Sequence, residues 1–145
     1  MATVVTLGNP HRGDDGVGPW IAERLRDRGV SPLEVEDPTR LVDLAETDLL
    51  VVVDAVISGA PVGAVLVLDV TDRPLPTEVT TSSHTISLGQ GLALLQRVGT
   101  WPRRVLVVGV EIEEIHPEPG LHAEVEVAAG HAVEVVVGLL RGPGR

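Results

Sequence analysis

The sequence contains no cysteine, lysine, phenylalanine or tyrosine, and these absences exclude several kinds of chemistry. Without cysteine the chain can form no disulfide, no thiolate nucleophile and no thiolate-rich zinc site. Without lysine it cannot build the Walker phosphate-binding loop, which needs a lysine to contact the phosphates. Since two tryptophans are the only aromatic residues apart from histidine, the hydrophobic core must be aliphatic.

Charge and hydropathy narrow the class of protein further. All eleven basic residues are arginines and the formal net charge is −10, which argues against a nucleic-acid partner because such binding depends on neutralising phosphates. No apolar run approaches the roughly 20 residues that span a bilayer, and the N-terminus lacks the features of a signal peptide. We therefore expect a cytoplasmic protein that binds neither membrane nor nucleic acid. Its 145 residues suit one domain, 1–145, that can bury a core.

The hydrophobic pattern predicts strands that alternate with helices. Apolar runs predict strands at 3–7, 33–37, 48–56, 63–70 and 104–112. Helical spacing predicts one helix that starts near Pro19 and others at 40–46, 87–98 and 123–141, with loops at 71–83 and 113–122. This order predicts an α/β fold, a single three-layer domain with a mainly parallel twisted sheet and helices on both faces. In such sheets the functional site forms outside the carboxyl ends of the strands.

A glycine-rich stretch, GNPHRGDDGVG at 8–18, separates the first predicted strand from the first helix. A turn of this kind usually binds phosphate, but here it presents two adjacent carboxylates, Asp14 and Asp15, and no lysine. Its glycines are also not in the order of the dinucleotide-binding fingerprint. Two structural alternatives stay open, since Asp15 could cap the following helix and Asp14 could close an Asx turn.

Two further polar residues stand near predicted strand ends. Asp54 lies inside the apolar run 48–56, and His84 lies just before a predicted helix. Together with the acidic pair of the glycine-rich stretch they are positioned to converge on one end of the sheet. Two carboxylates and an imidazole suit a divalent metal such as zinc or nickel. The alternatives are a structural salt bridge between Asp54 and an arginine, and a solvated loop position for His84.

Other enzyme classes and one signalling class fit less well. There is no Gly-x-Ser-x-Gly elbow and no cysteine, so an acyl-enzyme route lacks a nucleophile. Asp54 after a valine run resembles the phosphoacceptor of a response-regulator receiver domain. That class implies a lysine after the last strand and an acidic pair directly after the first, and the sequence has neither. The receiver interpretation is therefore disfavoured.

Four stretches in order resemble the hydrogenase maturation endopeptidases: LGNPHRGDDGVG, VVVDAV, SSHTISL and VLVVGVEI. This family removes a short C-terminal extension from the large subunit of nickel–iron hydrogenases. Its opening pattern is Gly-Asn, four variable residues, Asp, an acidic residue, Gly, one residue and Gly. The matching positions are Gly8, Asn9, Asp14, Asp15, Gly16 and Gly18. The resemblance covers nearly the whole chain.

The resemblance implies a metal-contacting and catalytic set of Asp15, Asp54 and His84, with the matching glycines, Asn9 and Asp14 as a supporting loop. It implies that the nickel is supplied by the substrate, a nickel–iron hydrogenase large-subunit precursor. Cleavage then uses a water activated by the metal as Lewis acid or by a carboxylate as general base. We expect a monomer. The alternative is a nickel-sensing or scaffolding relative that binds the precursor without cleaving it.

The predicted loop 113–122, EEIHPEPGLH, corresponds to a family loop near the same edge of the sheet. The resemblance implies that it helps to hold the precursor. Its prolines and glycine fit a plain surface connection equally well.

Overall fold

A computed structural model of the chain describes residues 1–9, 13–81, 87–113 and 120–142, without the side chains of Asp14, Asp15 and Thr81. The strands are β1 (Ala2–Leu7), β2 (Leu33–Val35), β3 (Leu49–Ile57), β4 (Val65–Asp69), β5 (Thr80–Thr81) and β6 (Arg104–Glu111). The α-helices are α1 (Val17–Asp27), α2 (Leu88–Val98) and α3 (Ala123–Arg141), and two 3-10 helices span Gly13–Gly16 and Pro38–Asp43.

The strands form one sheet in the order β2-β1-β3-β6-β4, with β5 beside the end of β3. The pairs β1–β2, β1–β3 and β3–β6 are parallel, whereas β4 runs antiparallel to β6 and β5 antiparallel to β3. The predicted mainly parallel sheet is confirmed. The central strand β3 is buried from Leu50 to Val56, as its continuous apolar run predicts for a strand covered on both faces.

Helices cover both faces of the sheet and make the predicted three layers. On one face α1 and α3 pack on a cluster that includes Val51 and Val53 of β3. On the other face α2 and the 3-10 helix Pro38–Asp43 pack on Leu50 and Val52. Both clusters consist of aliphatic side chains, as the scarcity of aromatic residues requires. None of the helices in the described ranges has the length and apolar character needed to cross a membrane.

The C-terminal segment is a helix although its valines favour a strand. Its buried residues, Val125, Ala128, Ala132 and Val136 among them, recur every three or four positions and form one apolar stripe. Packing that stripe against the sheet outweighs the weaker helix propensity of valine. The predicted helix 123–141 is confirmed.

The segment 71–83 was expected to be loop throughout, and this is wrong at its end. Thr80 and Thr81 pair with Val56 and Ile57 as β5, and the Thr80 hydroxyl donates to the Ile57 carbonyl at 3.0 Å. The reason is tertiary: the end of β3 offers backbone groups to pair with, and β-branched threonine suits that pairing.

One predicted helix differs in type and position, and another is confirmed. The helix expected at 40–46 is the 3-10 helix Pro38–Asp43, which begins where the Asp37 carboxylate accepts the Thr39 N–H at 2.9 Å. The first α-helix begins at Val17 and has Pro19 in its first turn, as predicted.

Candidate active site

The carboxyl ends of β1, β3 and β6 lie at the same edge of the sheet because these three strands run parallel. There β1 leads into the glycine-rich stretch, β3 carries Asp54, and β6 ends at Glu111. Thr6 of β1 pairs with Val53, and Asp54 itself pairs with Gly109 of β6. Asp54 therefore lies on β3, between β1 and β6, near the carboxyl ends at which the sequence predicts a site.

Asp54 is completely buried, with 0% of its surface exposed. Because side chains alternate along a strand, it points to the same face as Leu50 and Val52, the face covered by α2. Its Oδ1 accepts a hydrogen bond from the Ala55 N–H at 2.8 Å. A buried carboxylate is costly unless it is hydrogen-bonded or paired, so this contact fixes the side chain on a rigid element.

The glycine-rich stretch needs glycine for two different reasons. Gly8 and Gly13 have φ values of 142° and 55°, which disfavour other residues. Gly18 lies against β1 so closely that a Cβ would stand 2.0 Å from the Leu7 carbonyl oxygen. The close approach at Gly18 therefore sets α1 directly on the first strand.

The acidic pair Asp14–Asp15 lies in the 3-10 helix Gly13–Gly16, which contacts β3. The N-cap residue of α1 is Gly16. Asp15 is therefore not the N-cap residue that the alternative interpretation proposed. The side chains of both aspartates lie outside the described part of the chain. Because the 3-10 helix contacts β3, the backbone of both aspartates lies next to the strand that carries Asp54.

His84 falls in residues 82–86, outside the described residues. On one side of that segment β5 pairs with the end of β3. On the other side Ser87 begins α2 through a capping box, in which the Ser87 hydroxyl accepts the Gln90 N–H at 3.1 Å and Gln90 Oε1 accepts the Ser87 N–H at 2.9 Å. The segment with His84 thus connects β5, at the end of β3, to α2, which covers the face of the sheet that carries Asp54.

Among the side chains that the structure describes, no three His, Asp or Glu groups lie together as a metal site. Of the three predicted ligands, only the side chain of Asp54 belongs to that set. The ligand assignment of Asp15 and His84 stays a prediction.

A second buried carboxylate at this edge, Glu111, received no role from the sequence. It is 1% exposed, and it accepts hydrogen bonds from the Ser58 N–H at 2.8 Å and the Ser58 hydroxyl at 2.6 Å. Its backbone also accepts from Gly63 N–H and donates to the Ala64 carbonyl. Glu111 thus holds both ends of the turn 58–64 that follows β3. The signal was present, since an acidic residue interrupts an apolar run at Glu111 as another does at Asp54.

Removing the Glu111 carboxylate is expected to loosen that turn. In Glu111→Ala the partly buried Ser58 N–H and hydroxyl lose their acceptor, which lowers the free energy of unfolding by roughly 1–3 kcal/mol. Glu111→Gln keeps one acceptor oxygen and should lose less. Urea unfolding measures both against Glu113→Ala, a change at an exposed position two residues on. Equal stability of the two alanine variants would show that Glu111 does not hold the turn.

A small cleft of about 300 Å³ lies beside the glycine-rich stretch. Gly13 and Gly16 line it together with Gly120 and Leu121, the first described residues after 114–119. The end of the predicted loop 113–122 therefore reaches the same edge of the sheet as the acidic pair. Residues 114–119 lie outside the described ranges, and the role of this loop in holding a precursor stays a prediction.

Comparisons with known proteins give one consistent result. A family model described as hydrogenase maturation protease matches residues 36–139. Hydrogenase 2 maturation protease of Escherichia coli (strain K12) is 32% identical and is aligned over 97% of this chain and 91% of its own length. A putative hydrogenase maturation protease of Methanocaldococcus jannaschii is 28% identical over 95% of both chains.

Solved structures agree with the sequence comparisons. The hydrogenase maturating endopeptidase HybD from E. coli superposes with a TM-score of 0.75 at 26% identity, covering 99% of this chain and 94% of that one. The [NiFe] hydrogenase maturation protease HybD from Thermococcus kodakarensis also gives 0.75 at 26% identity, covering 96% and 99%. The α/β architecture described above is the architecture of these proteins.

Proposed function

The chain belongs to the hydrogenase maturation protease family, and we propose that it removes the C-terminal extension of a nickel–iron hydrogenase large-subunit precursor after nickel insertion. The observation that carries the proposal is the position of Asp54. In a family of proteases, a fully buried carboxylate on the central strand is suited to a reaction centre when it lies at the edge where β1 leads into the stretch with Asp14 and Asp15. We further propose that the protein works as a monomer in the cytoplasm.

The nickel belongs to the substrate in this proposal. Asp15, Asp54 and His84 contact it when the precursor docks, and oxygen and imidazole nitrogen ligands suit nickel. Two observations support this proposal: the 3-10 helix Gly13–Gly16, which includes Asp15, contacts β3, and β5, which precedes the segment with His84, pairs with the end of β3. Recognition of the metal would bring the precursor's C-terminal segment against Asp54.

Water is the nucleophile in this proposal, since the chain has no cysteine and no serine elbow. The water attacks the scissile carbonyl, the C–N bond breaks, and the products are a new carboxylate on the subunit and an amine on the released peptide. Either the metal as Lewis acid or a carboxylate as general base activates the water. The hydrogen bond from the Ala55 N–H orients the Asp54 carboxylate for either of its possible roles, metal ligand or general base.

The direct test combines the purified protein with a large-subunit precursor from the same genome, with and without its nickel. Mass spectrometry of the precursor is expected to show loss of a C-terminal peptide only in the nickel-loaded sample. Cleavage regardless of nickel would keep the protease and remove metal recognition from the site. Binding without cleavage of several cognate precursors would instead indicate a scaffold.

A further inference from the structure

A groove of about 560 Å³ runs between the loop 70–80 and α2, beside the face that carries Asp54. Leu75, Pro76 and Val79 line it from the loop, and Ala93 and Gln96 from α2. Trp101 also lines it and is half-buried. No step of the proposed reaction uses these residues.

The groove has fixed walls. The Trp101 indole N–H donates to the Thr71 carbonyl at 3.1 Å, and the Val79 N–H donates to the Pro76 carbonyl at 3.0 Å. At the start of the loop the Thr71 N–H donates to Asp69 Oδ1 at 3.0 Å, and the Thr71 hydrogen bonds hold the pKa of Asp69 below its usual value. A preformed groove binds a flexible chain with less loss of entropy in the receptor.

One end of the groove lies beside the end of β3, the strand that carries Asp54. Thr80 lines the groove and is tied to the Ile57 carbonyl, three residues beyond Asp54 on the same strand. Ser87, where α2 begins, lines it as well. A polypeptide lying in the groove can therefore continue to the edge of the sheet at which Asp54 stands.

The described lining of the groove lacks the acidic side chains that give the chain its negative charge. The protein carries 21 acidic residues, yet none of the described residues that line the groove is acidic and Arg73 is the one cation among them. By contrast, the cleft beside β2 is lined by Glu34, Glu36, Asp37 and Asp43. The groove thus suits an apolar chain that carries a negative charge.

We propose that this groove binds the end of the precursor's C-terminal extension, with its terminal carboxylate on Arg73 and its apolar side chains against Leu75, Val79 and Trp101. The inference rests on the proposed function. Every C-terminal extension ends in a carboxylate, and the planar guanidinium of arginine pairs with that group through two parallel hydrogen bonds. The protein would then recognise the C-terminus of the extension that it removes, in addition to the metal.

A binding assay tests the groove without any cleavage. The probe is a synthetic peptide with the sequence of the extension of a large-subunit precursor from the same genome, labelled with fluorescein at its N-terminus and followed by fluorescence anisotropy. It is made with a free C-terminal carboxylate and, separately, with a C-terminal amide. Wild type is expected to bind the free acid roughly tenfold more tightly than the amide, as a hydrogen bond to a charged group implies.

Three variants complete the experiment. Arg73→Gln should bind acid and amide alike, and Ala93→Arg, which fills the groove from an exposed helix position, should weaken both. Arg97→Gln is the matched control, because Arg97 is exposed on the same helix and does not line the groove. Equal binding of acid and amide by wild type, or unchanged binding by Ala93→Arg, would overturn the inference.

Processing of nickel-loaded precursor separates this inference from the proposed function. The two groove variants should raise KM more than they lower kcat, and Arg97→Gln should change neither. Cleavage by wild type with unchanged KM in both groove variants would remove the groove and keep the protease. Peptide binding in the groove without any cleavage of the precursor would support the groove and contradict the proposed protease function. A dimer in solution that Ala93→Arg converts to a monomer, with peptide binding unaffected, would assign the groove to a second copy and overturn the inference.

Discussion

Replacing Asp54 with asparagine is expected to slow precursor processing roughly 10²- to 10⁴-fold, the contribution of a positioned acid or base. Asparagine has nearly the same shape, and its side-chain oxygen can still accept the Ala55 N–H that now bonds Oδ1 at 2.8 Å. The substitution therefore removes the charge and keeps the geometry. A large loss of rate in a folded variant would place the Asp54 charge in the reaction or in recognition of the metal.

Single-turnover processing of nickel-loaded precursor, followed by mass spectrometry, measures this loss. Thermal unfolding of the variant checks that the fold is kept. Asp48→Asn is the matched control, because Asp48 precedes the same strand at the opposite edge of the sheet and is exposed. Its carboxylate accepts from the terminal ammonium at 2.9 Å, a contact that lowers its pKa and that contributes little to stability at the surface. Wild-type processing by Asp54→Asn would exclude Asp54 from the site.

Much of the fold was predictable because the buried elements carry regular patterns. Three strands of the sheet have aliphatic runs that end at one edge, and α3 shows its apolar stripe despite its valines. Asp54 was predictable for the same reason, since a carboxylate within such a run must serve a purpose or be paired. In these places local pattern and tertiary packing point to the same structure.

The rest depends on contacts between distant residues. The two-residue strand β5 has no period of its own and exists because β3 extends far enough to pair with it. The role of Glu111 depends on Ser58, which lies 53 residues earlier. The groove exists only when the loop 70–80 and α2 are brought together. The sequence pattern of the loop or of α2 alone does not predict that the two lie side by side.

Replacing Gly18 with alanine is expected to destabilise the protein, because the added Cβ would clash with the backbone of β1. Its Cβ would lie 2.0 Å from the Leu7 carbonyl oxygen and 2.8 Å from the Leu7 carbonyl carbon. Both are backbone atoms, so no side-chain rotation relieves the clash and α1 must move away from β1. Alanine in a helix gains roughly 1 kcal/mol over glycine, but overpacking a buried site costs about 3 kcal/mol at the upper end of its range. The clash therefore decides the sign.

Gly130→Ala is the matched control for this prediction, because Gly130 lies within α3 and a Cβ there meets nothing within 4 Å. It should stabilise the protein by roughly 0.5–1 kcal/mol, the helix-propensity gain alone. Urea unfolding of both variants should thus give changes of opposite sign, and stabilisation by Gly18→Ala would contradict the close approach of α1 to β1.

Processing adds a second measure of the same change. The 3-10 helix with Asp15 leads directly into α1 and contacts β3. A displaced α1 should carry Asp15 away from Asp54 and slow cleavage at a temperature where Gly18→Ala is still folded. Gly130→Ala should process precursor at the wild-type rate. Full activity of a folded Gly18→Ala variant would contradict this prediction. It would show that the function of Asp15 does not depend on the position of α1.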